Sequence, residues 1–102
     1  MFTAGQLGLD PETNELVPGG VEGETRQALT NLKHVLEASG SELRNVVKTT
    51  VFLRDIKDFA DMNHIYAEFF PENYPARTTV QAAALPRGAA VEIEVIWVIG
   101  TN

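Results

Sequence analysis

Two residues of this chain stand where their types invite chemistry. Arg77 follows Tyr74-Pro75-Ala76 at the mouth of a strand. A guanidinium there can grip a carboxylate through two parallel hydrogen bonds, or lie in an ordinary surface ion pair. Glu92 falls inside a β-branched run, where glutamate is disfavoured. A carboxylate in a half-buried sheet is costly unless paired or hydrogen-bonded. It is therefore a candidate for proton transfer or else the structural partner of Lys48 or Arg77. Glu94 shares its face and reads the same way.

Other residues are weaker candidates. His34 and His64 lie in different helical segments without a ligand-like spacing, and Gly5, Gly8, Gly19 and Gly20 make no phosphate-loop pattern. Ser39 and Ser41 flank a helix end with no base beside them. The absence of cysteine excludes disulfides, thiolate metal sites and a cysteine nucleophile. A formal net charge of -6, with the basic residues scattered along the chain, argues against nucleic acid or an anionic membrane as partner. No run approaches the roughly 18 apolar residues of a membrane helix. The start also lacks the basic segment and apolar run of a signal peptide, so the expected location is the cytoplasm or a mitochondrial matrix.

The elements that must hold Arg77 and Glu92 can be read from period and punctuation. At 102 residues, 1–102 is expected to form a single α+β domain, small enough that oligomer contacts would help it. Met1–Leu9 reads as a strand, Asp10–Asn14 as a turn, and Glu15–Val17 as a short returning strand before Pro18-Gly19-Gly20. Val21, Thr25, Ala28, Leu29, Leu32, Val35 and Leu36 fall on one helical stripe that stops at Gly40. Val46–Leu53 reads as a strand, and Asp58 as the cap of a helix over Phe59–Phe70 ended by Pro71 and Pro75. Thr78–Ala84 and Ala90–Ile99 read as the last two strands, joined tightly through Leu85–Gly88. The order β-β-α-β-α-β-β implies two helices layered on one face of one sheet.

Two consequences follow for assembly and site. In the last strand, Val91, Ile93, Val95, Trp97 and Ile99 suit the face under the helices. Ala90, Glu92, Glu94, Ile96 and Val98 make a mixed face that needs another cover, or stays solvated. Self-association supplies that cover economically. If Leu85–Gly88 is a two-residue turn, Glu92 lies opposite Gln81 or Ala83. Arg77 would then share its face at roughly 13–20 Å along the strand. One small ligand could hardly touch both within a chain, so Arg77 and Glu92 would converge from neighbouring subunits.

Several segments taken together resemble one family. Val46–Leu53 (VVKTTVFL), Asp58-Phe59 with Met62-Asn63, Pro75-Ala76-Arg77, and Ala84-Leu85-Pro86 followed by Val91-Glu92-Ile93-Glu94 resemble the Rid family of reactive-intermediate imine deaminases, of RidA or YjgF type. Phe2–Gln6 matches that family's second strand, and the resemblance covers essentially the whole chain. It implies a chorismate-mutase-like α+β fold assembled as a homotrimer with clefts between subunits. It implies hydrolysis of 2-imino or enamine acids, such as 2-iminobutanoate and 2-iminopropanoate, to 2-oxo acids and ammonia, without cofactor or metal. By the same resemblance Arg77 holds the substrate carboxylate and Glu92 orients or activates water. Gly5, Asn63 and the backbone around Thr79 line the cleft. Relatives often carry cysteine where this chain has Thr79, and the largely backbone contribution expected there tolerates the change. Relatives also carry an upstream Gly-Pro-Tyr segment whose tyrosine reaches the site. Its absence suggests an incomplete start, or a short member with an altered cleft and an exposed strand edge. A non-catalytic small-acid-binding or regulatory trimer is the alternative reading. The acidic balance disfavours a ribonuclease or translation inhibitor, a label some relatives carry.

Overall fold

The computed structural model describes residues 1–72 and 74–98. Among them two long helices cover one face of a four-stranded sheet in the order β1-β4-β2-β3. Helix α1 (Gly20–Ala38) forms on the expected stripe: Val21, Thr25, Ala28, Leu29, Leu32 and Leu36 are buried. Val35, placed on that stripe by its spacing, is exposed instead. The helix ends in a Schellman motif, in which the Ser41 amide donates to the Leu36 carbonyl (2.8 Å) and the Gly40 amide to that of Glu37 (3.1 Å). Gly40 there has φ 84°, a conformation that glycine adopts without cost.

Strand β2 (Val46–Leu53) is the spine of the sheet. It pairs parallel with β3 (Ala76–Gln81) and antiparallel with β4 (Val91–Trp97), while β1 (Gln6–Leu7) pairs antiparallel with the far side of β4. Helix α2 (Phe59–Phe69) bridges β2 and β3, as a parallel pair requires. Asp58 stands at its N-cap, yet its side chain makes no capping bond; Asp55 caps the preceding turn by accepting from the Lys57 amide. Leu29, Leu32 and Leu36 of α1 and Met62 and Tyr66 of α2 close over Val51, Leu53, Val91, Ile93, Val95 and Trp97. That single apolar layer is the core.

The structure corrects the sequence reading in several places. The last two strands do not form a hairpin, because β2 lies between β3 and β4. The segment joining them leaves the sheet through Pro86–Gly88, where Arg87 (φ 61°) and Gly88 (φ 69°) turn the chain through left-handed backbone. Strand β3 accordingly starts two residues earlier and ends three earlier than its β-branched run suggests. The N-terminal strand is short: beyond Gln6–Leu7, only the Phe2–Ile96 and Leu9–Leu16 bridges and the Thr3 amide bond to Val95 (3.0 Å) hold Met1–Leu9. The Leu9–Leu16 bridge is what remains of the expected returning strand. Ala90 is buried rather than on the mixed face, its amide donating to Glu24 Oε1 at 2.8 Å. Ile99, the last residue of the predicted strand, lies outside the described residues.

Candidate active site

Strand register decides where the candidate residues point. Arg77 pairs with Thr49 and Thr49 with Val95, a row directed at the helices. Glu92 pairs with Phe52, which pairs in turn with Val80, a row on the uncovered face. Register partners share a face and successive residues alternate. Arg77 and Glu92 therefore lie on opposite faces, with β2 between their strands and three register positions (Thr49 to Phe52) separating their rows. The expectation that they share a face fails because it assumed a β3–β4 hairpin. The two residues do not converge within one chain.

On the helix face, Arg77 reaches across to α2. Its Nη1 donates to Asn63 Oδ1 at 2.6 Å, and its guanidinium carbon lies 4.6 Å from the centre of the Tyr66 ring and 5.2 Å from that of Phe59. Phe59, Asn63 and Tyr66 present one helix face because their spacing is four and three. The ion pairs among the described residues are Arg26–Glu68 and Arg44–Glu42, so the surface-ion-pair reading of Arg77 finds no partner there. A cavity of about 410 Å³ opens beside it, lined by Asn63, Tyr66, Phe70, Tyr74 and Arg77 among others. The charge of Arg77 faces a partly apolar hollow, where an anion is held more strongly than in water.

Tyr66, which the sequence analysis does not single out within the Phe59–Phe70 helix, lines this hollow. It is buried, and its hydroxyl lies 2.8 Å from Thr49 Oγ1. Burial raises its pKa above the ordinary tyrosine value, partly offset by the Thr49 hydrogen bond and the nearby Arg77 charge. The i, i+3 relation of Asn63 and Tyr66 is the signal that could have found it. Thr79 points the same way as Arg77, in register with buried Val51, and its Oγ1 is buried without a partner among the described residues.

On the open face, Gly5 and Glu92 lie against each other. A Cβ at Gly5 would collide with the Glu92 carboxylate, lying 2.8 Å from Cδ. Glycine at that position is therefore a condition for the Glu92 side chain to lie where it does. No protein donor among the described residues holds the Glu92 carboxylate, and Lys48, its suggested partner, donates to Thr78 Oγ1 instead. Glu94 lies one pair further along, opposite Thr50, in a smaller hollow with Phe2, Lys48 and Ile96. Gly5 thus distinguishes Glu92 from Glu94, which the sequence alone left equivalent. His34 and His64 are exposed, and among the described residues no three His, Cys, Asp or Glu side chains gather as a metal site. No described helix is long and apolar enough to cross a membrane.

The fold is that of a small α+β protein in which, among the described residues, Arg77 and the sheet carboxylate Glu92 have no ionic partner. Residues 1–99 match the family model described as Endoribonuclease L-PSP, and the chain belongs to that family. It is 51% identical over 100 residues to the 2-iminobutanoate/2-iminopropanoate deaminase of Bos taurus, covering 98% of this chain and 73% of that protein. A RutC family protein of Pyrococcus horikoshii is 49% identical, covering 94% and 76%. Among solved structures, a putative endoribonuclease from Thermotoga maritima superposes with a TM-score of 0.94 at 45% identity, covering 98% of this chain and 79% of that one. These likenesses agree with the Rid-type resemblance of the sequence and with its two-helix, one-sheet fold.

Proposed function

We propose that this chain hydrolyses small 2-imino acids and their enamine tautomers to 2-oxo acids and ammonia, in clefts where Arg77 of one copy meets Glu92 of the next. The observation that carries this reading is a cation and a carboxylate left without ionic partners on opposite faces of one sheet. Among the described residues neither charge is neutralised inside the chain, and a second copy can bring the two together. The deaminase name of relatives about half identical to this chain supports the reaction class. TdcF of Escherichia coli, solved with bound serine, is a structural neighbour at 41% identity and a TM-score of 0.89, covering 95% of this chain and 78% of that one.

The chemistry follows from the groups. The substrate carboxylate docks on the free Nε–Nη2 edge of Arg77, with Asn63 fixing the guanidinium from the other side. Water held by Glu92 adds to the imine carbon as its proton passes to the carboxylate. Return of that proton to nitrogen completes the carbinolamine; Glu92 then carries the carbinolamine's hydroxyl proton to nitrogen, so that the C–N bond breaks as the carbonyl forms and ammonia leaves. Gly5 and the Thr79 backbone line the same cleft. No step calls on a cofactor.

The assembly is a homotrimer, supported by the composition of the open face. Phe2 (80% exposed), Ile96 (47%) and Val98 (52%) stand there beside Val80 and Phe52, an apolar surface that water leaves at a cost. A coupled assay tests the reaction: threonine dehydratase supplies imine while semicarbazide competes for it. The protein should lower semicarbazone formation in proportion to its concentration. Unchanged semicarbazone would leave small-acid binding without turnover as the surviving reading.

A further inference from the structure

We propose that Tyr66 is a positioning residue for Arg77: its ring, anchored through the hydroxyl pair with Thr49, holds the guanidinium plane ready for a carboxylate. This rests on the reading of Arg77 given above and extends it to a group that acts through the arginine.

The argument begins with what Arg77 lacks. Its side chain is long, rotates about several bonds and stands near the start of an edge strand, so ordering it costs entropy. A carboxylate would ordinarily supply that order, and none among the described residues does so. A carboxylate would also occupy the two-pronged donor edge that a substrate needs. An aromatic face has neither drawback. It attracts the cation through its quadrupole while accepting no in-plane N–H. Two rings do this here, Tyr66 at 4.6 Å and Phe59 at 5.2 Å, and the protein acceptor found for Arg77 is Asn63, on Nη1. Orientation is set while Nε and Nη2 stay available.

The platform is itself fixed. Tyr66 is 5% exposed and stacks on Phe70 with ring centres 4.8 Å apart. Its hydroxyl partner, Thr49, is wholly buried and is the register partner of Arg77 across the β2–β3 pair. The foot of the ring and the backbone of the arginine are thus mounted on adjacent positions of one sheet. The hydroxyl end of the ring is tied to the strand that pairs with Arg77, while α2 carries its other end.

The test uses the assembled protein with 2-oxobutanoate as probe, in calorimetry and imine hydrolysis, and follows the Arg77 Nε–H resonance by NMR. Tyr66→Leu removes the ring. It should weaken binding and raise KM by about 2- to 30-fold, with kcat much less changed, and should move the ring-shifted resonance. The double variant Thr49→Val/Tyr66→Phe keeps the ring but removes its hydroxyl anchor, and should weaken binding in the same direction by less than Tyr66→Leu does. Phe59→Leu, at a more exposed position, should give a smaller loss in the same direction, and decides the matter if Tyr66→Leu does not fold. If binding follows the unfolding midpoint across these variants rather than the presence of the rings, Tyr66 is structural and the proposal falls. If Arg77→Ala loses binding while Tyr66→Leu and Phe59→Leu bind like the parent, the proposal alone falls. If Arg77→Ala binds like the parent, the docking role of Arg77 falls first.

Discussion

Arg77 and Glu92 are separated by place, and substitution can tell apart the roles proposed for them. Arg77→Lys keeps the charge but loses the planar fork, so capture of 2-oxobutanoate should weaken, and Arg77→Ala should abolish it. Calorimetry on the three proteins checks this, and equal affinities would place the anion elsewhere. Glu92→Gln keeps size and shape but accepts no proton, so imine hydrolysis should fall by roughly 10²–10⁴-fold while 2-oxobutanoate still binds. A parent-like rate would shift the role to Glu94 or to water held by backbone groups. Gly5 yields a sharper test, because it is exposed and yet has no room for a methyl group beside the Glu92 carboxylate. Gly5→Ala should leave the melting temperature nearly unchanged and lower kcat by displacing Glu92. A variant with normal kcat would separate Gly5 from the working geometry.

At the scale of elements, the most local signals were the most legible. Helix α1 begins after Pro18-Gly19 and ends at Gly40 because those residues suit a break and a left-handed turn wherever they occur. Gly40→Ala, which forces a side chain into φ 84°, should cost about 1–2 kcal/mol in urea unfolding at fixed protein concentration. Retained stability would mean the helix end rearranges freely. Strand β2 was equally plain in its β-branched run. What failed was adjacency: Thr78–Ala84 and Ala90–Ile99 look like a hairpin because they follow one another, yet nine residues (82–90) separate the observed strands and carry the chain past β2.

For the whole molecule, the open face and the split site lead to the same expectation. Light scattering at micromolar concentration should give about three chain masses, and Ile96→Asp, which puts a charge in the apolar patch, should yield inactive monomers. A parent variant that stays monomeric yet turns over imine would sink the shared-cleft account. Mixing is the more direct test. Arg77→Ala and Glu92→Gln, each inactive alone, should recover about a quarter of parent activity after co-refolding at equal amounts, since each cleft draws one residue from each neighbour. No recovery would mean that one copy supplies both residues.

The sequence by itself determined the α+β class, the identities of both helices and β2, and which two residues are the candidates for the chemistry. Each of these rests on local causes: a period of three and four, a β-branched run, a glutamate where strands disfavour it, an arginine placed after Pro-Ala. Tertiary structure alone decided that β2 parts β3 from β4, and with that which face each side chain meets. It set Arg77 against Tyr66 and Asn63, and Glu92 against Gly5, separating Glu92 from its neighbour Glu94. The reason is physical. Alternation along a strand fixes which residues share a face, but which face is covered, and by what, depends on contacts between segments far apart in the chain.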